Sequence, residues 1–490
     1  MFSGSNINYR LILSVIGRLL LVESVVLFSV IFVSLVFDES DWRFFAGASF
    51  VALLVGIVFM LLGRRAPDRV GKREGVVIVT FVWVVFSLIG ALPFWLSKSI
   101  PSYTDAYFET ISGFTTTGAS ILNNIEELSH GMLFWRSLTQ WLGGLGIIVI
   151  SLALLPVFGI SGMQLFAAET TGPTKDKIHP KISETAKRLF TIYIALTLIE
   201  SVLLYFGGMS VFDAVCHSLT TIASGGFSTK QASVAYFNSA YIEYVIAIFM
   251  ILAGVNFSLF YFGFKRKFSK IKENEEFKYY LYITLLFSLI ILISIIDFDN
   301  ISLATLEEYW RDSIFMISSM LTTTGFATVD YMHWPPVTWI VIAGTMMIGA
   351  SAGSTAGGIK VVRIIISTKA FYYEFKRLVH PTAVIPIRYN KHVIKDDIVT
   401  RILAFVLLYV IVIFIGVFVL AMSGMDMTES IGGMITCVGC VGPGFGSLSP
   451  SGSFSHIPEF GKWVLTFAML IGRLELYTVL MLFTPAFWKK

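Results

Sequence analysis

Four times along this chain an acidic residue stands thirteen positions before a glycine, and each glycine closes a turn rich in threonine, serine and glycine. The pairs are Asp105 with Gly118, Asp213 with Gly226, Asp312 with Gly325, and Glu429 with Gly442. Successive glycines lie 108, 99 and 117 residues apart, so the chain reads as an array of four covalently joined repeats.

The solvent for this array follows from composition. Of 490 residues, 56% are hydrophobic and 14% charged, with a mean hydropathy of +0.78, which excludes a soluble domain. Apolar stretches of bilayer-spanning length run over 14–37, 45–62, 76–97, 133–157, 189–207, 241–263, 279–297, 336–365, 402–422 and 462–484. The first is too long for a signal-peptide core and carries Arg18 and Glu23, so it is expected to be a retained helix.

Lysine and arginine mark the cytoplasmic connections of a membrane protein. They gather here in alternate loops: Arg64 to Arg73, Lys175 to Arg188, Lys265 to Lys278, and Lys369 to Lys395. The acid–glycine turns fall in the intervening connections, which carry acids such as Glu126 and Glu127. All four repeats are therefore expected to enter from the outer side, with both termini cytoplasmic. The net charge of +4 is accounted for by this topology and implies no nucleic acid.

Each unit reads as a span, a short re-entrant helix, a glycine turn and a second span. The predicted fold is an all-α membrane protein of four M1–P–M2, potassium-channel-like repeats around a pseudo-fourfold pore, with an extra N-terminal helix hairpin. The expected boundaries are 1–74 for the hairpin, then 75–174, 175–277, 278–395 (second helix broken) and 396–490 for the repeats.

Irregular backbone survives at membrane depth only inside protein or lining water, because unpaired N–H and C=O groups facing lipid cost several kcal/mol each. Four such turns point to one aqueous axis lined by carbonyls that replace the hydration shell of a monovalent cation. The candidate ion-binding residues are Thr116, Thr117 and Gly118; Ser224, Gly225 and Gly226; Thr323, Thr324 and Gly325; and Cys440, Val441 and Gly442. In the fourth turn Gly439, Gly442, Gly444 and Gly446 compete, and the acid spacing favours Gly442. One Thr-Thr-Thr-Gly alone fits a loop or a helix contact equally well; the weight lies in four copies in register. Asp105, Asp213, Asp312 and Glu429 are expected near the starts of pore helices of about ten to twelve residues, either capping them or drawing cations to the mouth.

The second span of the third repeat contains Gly349, Ser351, Gly353, Ser354, Thr355, Gly357 and Gly358 within ten positions. Glycine inside a helix costs up to about 1 kcal/mol relative to alanine, so this segment is expected to break the helix at mid-membrane, the alternative being close helix packing through small residues. Arg473 lies within the last span, where an ionisable residue points to function or to anchoring on carbonyls. Glu475 is only two positions away and faces elsewhere, so the expected partner of Arg473 is a carbonyl of the glycine turns or of the 349–358 segment. Cys216, Cys437 and Cys440 form no disulfide framework or zinc pattern, His217 reads as a packing or hydrogen-bonding residue and not a metal ligand, and no nucleophile–base constellation marks an enzyme.

With these residues in view, the chain resembles the Trk/Ktr/HKT superfamily of potassium transporters over essentially its whole length. Within it, the N-terminal hairpin and Val441-Gly442-Pro443-Gly444 look most like the TrkH branch. The resemblance implies K⁺ as the permeant ion, with no organic cofactor on this chain. In the plant branch a serine at the first filter position goes with sodium, so glycine at all four positions implies potassium preference. It further implies that 349–358 obstructs the pore beneath the filter, that Arg473 projects into the permeation path, and that the protein is a homodimer in the lipid of a bacterial inner membrane. A cytosolic nucleotide-binding regulator of the RCK/TrkA type would dock on the basic loops. Two other classes compete: the ion-binding subunit of a K⁺-pumping ATPase, and a broken-helix transporter of inverted repeats. The common orientation of all four repeats speaks against the second.

Overall fold

The computed structural model describes residues 7–64, 71–153, 182–299, 302–383 and 385–488. Arg65, Arg69, Lys175, Lys177, Lys181, Lys489, Lys490 and the expected repeat boundary at 174 lie outside them.

The chain opens with the expected hairpin, α1 (Tyr9–Val36) and α2 (Trp42–Leu62). Lipid offers no hydrophobic drive for two apolar helices to pair, so close backbone approach and buried hydrogen bonds do the work. Gly17 and Gly56 face each other so tightly that a Cβ at Gly56 would lie 3.0 Å from the Gly17 carbonyl oxygen. Ser24 and Ser49 donate reciprocally to each other's carbonyls at 2.8 and 2.9 Å.

Four repeats follow. The first comprises α3 (Lys72–Gly90), pore helix α4 (Tyr103–Phe114) and α5 (His130–Ala153); the second, α6 (Ile182–Phe206), pore helix α7 (Val211–Ile222), α8 (Ala240–Ala253) and α9 (Phe257–Phe264). The third holds α10 (Glu275–Ile295), pore helix α11 (Leu303–Leu321), α12 (Pro336–Ile348) and α13 (Val361–Val379). The fourth holds α14 (Asp396–Met422), pore helix α15 (Met427–Gly439) and α16 (Glu459–Arg473). Six helices among the described residues are long and apolar enough to cross a membrane, and two bent pairs add two more spans.

Three second spans are not straight. The glycine-rich stretch of repeat three ends α12 at Ile348, and helix resumes only at Val361. The spans expected to be continuous at 241–263 and 462–484 bend by 96° and 115°. At the first bend the Asn256 side chain accepts from the Ser258 amide at 2.9 Å, capping a new helix, while the Phe257 amide is drawn to Gly353 O at 3.1 Å. At the second, Glu475 takes a left-handed φ of 61°.

Pore helices α4, α7 and α15 have 12, 12 and 13 residues, but α11 has 19. A capping box between Ser302 and Thr305 starts α11 early, and Arg311, paired with Glu243 at 2.6 Å and Glu307 at 2.7 Å, fastens its added turns to α8. A two-residue β-hairpin, Arg388–Tyr389 against His392–Val393, turns through Asn390 and Lys391, both at positive φ. Asn390 accepts from the Glu275 amide at 2.8 Å, holding the connection between repeats three and four against the start of α10.

Candidate functional site

The four glycine turns share one backbone plan. The residue two before each glycine and the glycine itself have positive φ: Thr116 and Gly118 (51° and 83°), Ser224 and Gly226 (55° and 76°), Thr323 and Gly325 (56° and 83°), Cys440 and Gly442 (57° and 110°). The amide just before each glycine turns back onto its own pore helix: Thr117 N to Ser112 O at 2.8 Å, Gly225 N to Thr220 O at 2.9 Å, Thr324 N to Ser319 O at 2.8 Å, and Val441 N to Thr436 O at 3.0 Å. Because N–H and C=O of a trans peptide point in opposite directions, the carbonyls of Thr116, Ser224, Thr323 and Cys440 are aimed away from the pore helices.

The turns also close on one another. A Cβ added to Gly118 would overlap the carbonyl oxygen of Gly225; one on Gly226, that of Thr324; one on Gly325, that of Val441. A Cβ on Gly442 would lie 2.9 Å from the carbonyl oxygen of Thr117, which returns the sequence of contacts to the first repeat. The four turns therefore surround a single axis. The same closure distinguishes Gly442 from Gly439, Gly444 and Gly446, which make no such contact.

Buried polar groups hold this ring from outside. Glu109 on α4 and Arg136 on α5 form an ion pair at 2.9 Å, at most 2% exposed, and Arg136 also reaches Ser228 O at 3.0 Å in the second repeat. Glu109 further accepts from Ser120 Oγ at 2.9 Å, and in repeat two His217 bonds Ser228 Oγ at 3.0 Å. Glu109 and His217 both stand nine residues before the glycine that closes their turn, and Ser120 and Ser228 both stand two after it. That register was available in the sequence; the Glu109–Arg136 pair itself was missed. Gln140, also missed, touches the second turn directly.

The four acids divide. Asp105, Asp213 and Glu429 lie in the first turns of their pore helices, whereas Asp312 is the tenth residue of α11, because that helix starts early. Asp105 pairs with Lys462 at 2.6 Å, Asp213 accepts from Thr229 Oγ1 at 2.6 Å, and Glu429 accepts from Ser447 Oγ. The recess above the ring is lined by Gly118, Gly226, Gly325 and Gly442 with Arg136 and Lys230, and none of the four acids reaches it. The carboxylates of Asp105, Asp213 and Glu429 tie down neighbouring segments instead.

Residues 349–358 lie against the other side of the ring. Thr355 Oγ1 meets Ser224 Oγ at 2.7 Å and donates to Ile222 O at 3.0 Å, and the Gly357 amide donates to Thr323 Oγ1 at 2.6 Å. Gly357 packs so closely on the carbonyl of Gly439 that a Cβ there would overlap it. The segment thus touches three of the four turns. Arg473, 3% exposed, supplies the link to the remaining repeat by donating to Thr355 O at 2.7 Å and to Gly143 O at 3.1 Å on α5. Glu475 pairs with Arg363 at 2.7 Å, and Arg473 has no ion pair among the described residues. Glu276 on α10, another residue the sequence did not single out, accepts from the amides of Ala352 at 2.7 Å and Val362 at 3.3 Å, bracing the segment at both ends.

The described residues contain no cluster of His, Cys, Asp or Glu able to hold a metal ion, and Cys437 and Cys440 are buried free thiols. Fold and site together define a multi-pass membrane transport protein, with four pore repeats about one axis. The family model described as "TrkH: Cation transport protein" matches residues 43–490, and the chain belongs to this family, whose members are transporters and not enzymes. It is 38% identical over 489 residues to the Trk system potassium uptake protein TrkH of Salmonella typhimurium, covering 99% of this chain and 100% of that protein. The TrkH of Escherichia coli is 37% identical over 487 residues with the same coverage. The crystal structure of the potassium transporter TrkH from Vibrio parahaemolyticus superposes with a TM-score of 0.90 at 34% identity, covering 99% of this chain and 100% of that one.

Proposed function

We propose that this protein takes up potassium across a bacterial inner membrane, through a filter contributed by one glycine turn from each repeat. The observation that carries the reading is the closed circle of glycine-to-carbonyl contacts, which sets equivalent carbonyls around one axis at a width fixed by the backbone. Such a ring suits a dehydrated monovalent cation. The potassium uptake named for the Salmonella and Escherichia relatives supports the choice of ion.

Residues 349–358 and Arg473 form the gate in this reading. The loop fills the axis beneath the ring, and a positive charge with no counter-ion among the described residues opposes a cation there by roughly 3 kcal/mol at about 6 Å and an effective dielectric near 20. A cytosolic nucleotide-binding regulator engages the basic connections, including Lys265 to Lys278 and Arg363 to Lys395, and withdraws the loop. Two copies assemble side by side, each with its own pore, and both termini face the cytosol. The repeats divide at 74, 174, 277 and 395.

The test is flux of K⁺, Rb⁺, Na⁺ and Li⁺ into liposomes holding the purified chain, under an imposed potential with and without a pH gradient. Potential-driven flux favouring K⁺ and Rb⁺ is the expected result. A chain that stays silent until a catalytic partner is added belongs to a pump instead.

A further inference from the structure

The second turn differs from its neighbours. In the first and third turns, hydroxyls two residues apart bond to each other, Thr115 Oγ1 with Thr117 Oγ1 at 2.8 Å and Thr322 Oγ1 with Thr324 Oγ1 at 2.7 Å. The second turn has Ala223 and Gly225 at these places, so it cannot make that bond. Its Gly225-Gly226 pair is also the most freely rotating backbone among the four turns.

Gln140 on α5, fully buried, occupies the space a side chain at Gly225 would fill: a Cβ there would overlap its carboxamide. Gln140 Nε2 donates to Gly225 O at 2.7 Å, and Oε1 accepts from the Phe227 amide at 3.0 Å. The Phe227 N–H fixes which way the carboxamide faces, since the flipped group would set donor against donor. Gly225 O is the carbonyl on which Gly118 packs, at the seam between repeats one and two. Among the described residues no side chain donates to the matching carbonyls of Thr117, Thr324 or Val441.

We propose that Gln140 is a positioning residue of the filter: from the first repeat it supplies the restraint that the second turn lacks, and thereby sets ion discrimination. The inference builds on the filter reading above. A carbonyl whose oxygen is tied to a side-chain donor cannot swing toward an ion smaller than K⁺, whereas that of an untied diglycine can.

The experiment compares K⁺ and Na⁺ permeation through the reconstituted full chain, wild type against Gln140→Met, Gly118→Ser, and a combined variant carrying Gln140→Ala, Ala223→Thr and Gly225→Thr. Gln140→Met keeps the length and loses both hydrogen bonds, and its K⁺ over Na⁺ ratio is expected to fall roughly fivefold to tenfold with K⁺ flux retained, the scale of one neutral hydrogen bond. The combined variant gives turn two the hydroxyl pair of turns one and three in the room the amide vacates. Gly225 has no left-handed φ to forbid threonine, so the ratio is expected to recover. Equal slowing of both ions by Gln140→Met, with the ratio unchanged, makes Gln140 a packing residue and overturns the proposal. If Gly118→Ser still shifts the ratio, only the bracing role fails; if it does not, the filter reading fails with it. Should Gln140→Met not fold, Gln140→Ala alone is compared with the combined variant: a low ratio that the triple substitution restores supports the restraint, and equal ratios in the two count against it.

Discussion

The guanidinium of Arg473 donates to the carbonyl oxygen of Thr355 at 2.7 Å, joining residues 118 positions apart. Through this bond and its second, to Gly143 O, the last repeat holds the broken helix of the third against the first. Replacing Arg473 by alanine removes both the strut and the charge. Rb⁺ uptake into liposomes is expected to rise by up to about a hundredfold, the equivalent of the roughly 3 kcal/mol electrostatic barrier. A well-folded Arg473→Ala protein that transports no faster would make the arginine an anchor only.

Thr355→Val preserves shape and deletes the hydroxyl that meets Ser224 and Ile222. Each lost bond is worth about 0.5–1.5 kcal/mol, so the loop should leave the axis more readily and basal flux should rise severalfold without a change in ion preference. A single-channel open fraction no higher than wild type is the contrary result.

Gly118 sits at a φ of 83° with its α-carbon against the Gly225 carbonyl. Serine there is strained and displaces that carbonyl from its place between the first two turns. The permeability of Na⁺ relative to K⁺, read from reversal potentials, is expected to increase by tenfold or more on a penalty of about 1–3 kcal/mol. Identical reversal potentials would take Gly118 out of the filter.

Glu109→Ala strands Arg136 as a buried, unpaired charge between two repeats. Breaking such a pair costs about 3–5 kcal/mol, so the detergent-solubilised protein should melt at clearly lower temperature, or fail to accumulate. A melting curve superimposable on wild type would mean that Ser228 O, Ser120 Oγ and Phe227 satisfy the arginine without Glu109.

The repeat plan was legible in the sequence because it is local: thirteen residues from acid to glycine is a pore helix and its turn, and the pattern survives in every copy. The broken helix at 349–358 was legible for the same reason, since its composition weakens a helix wherever it lies, although close packing through small residues fitted the same pattern. What escaped was set by distant partners. The 96° bend after Ala253 follows from Phe257 donating to Gly353, and Asp312 lost its place near a helix start because Arg311 and Glu243 stabilise extra turns ahead of it. Gln140 and Arg136 stand on an apolar span with no local sign that they reach across to a neighbouring repeat. Comparing the four units position by position would have exposed Glu109 with His217 and Ser120 with Ser228.

The circle of contacts runs through the repeats in chain order and shuts only when Gly442 meets Thr117. Synthesis proceeds from the N-terminus, so the loop at 349–358 enters the membrane before the turn that completes the circle. In the gate reading proposed above, the protein has made its own stopper by the time it has a hole to stop, and no stage of its assembly need expose the cell to an unguarded leak.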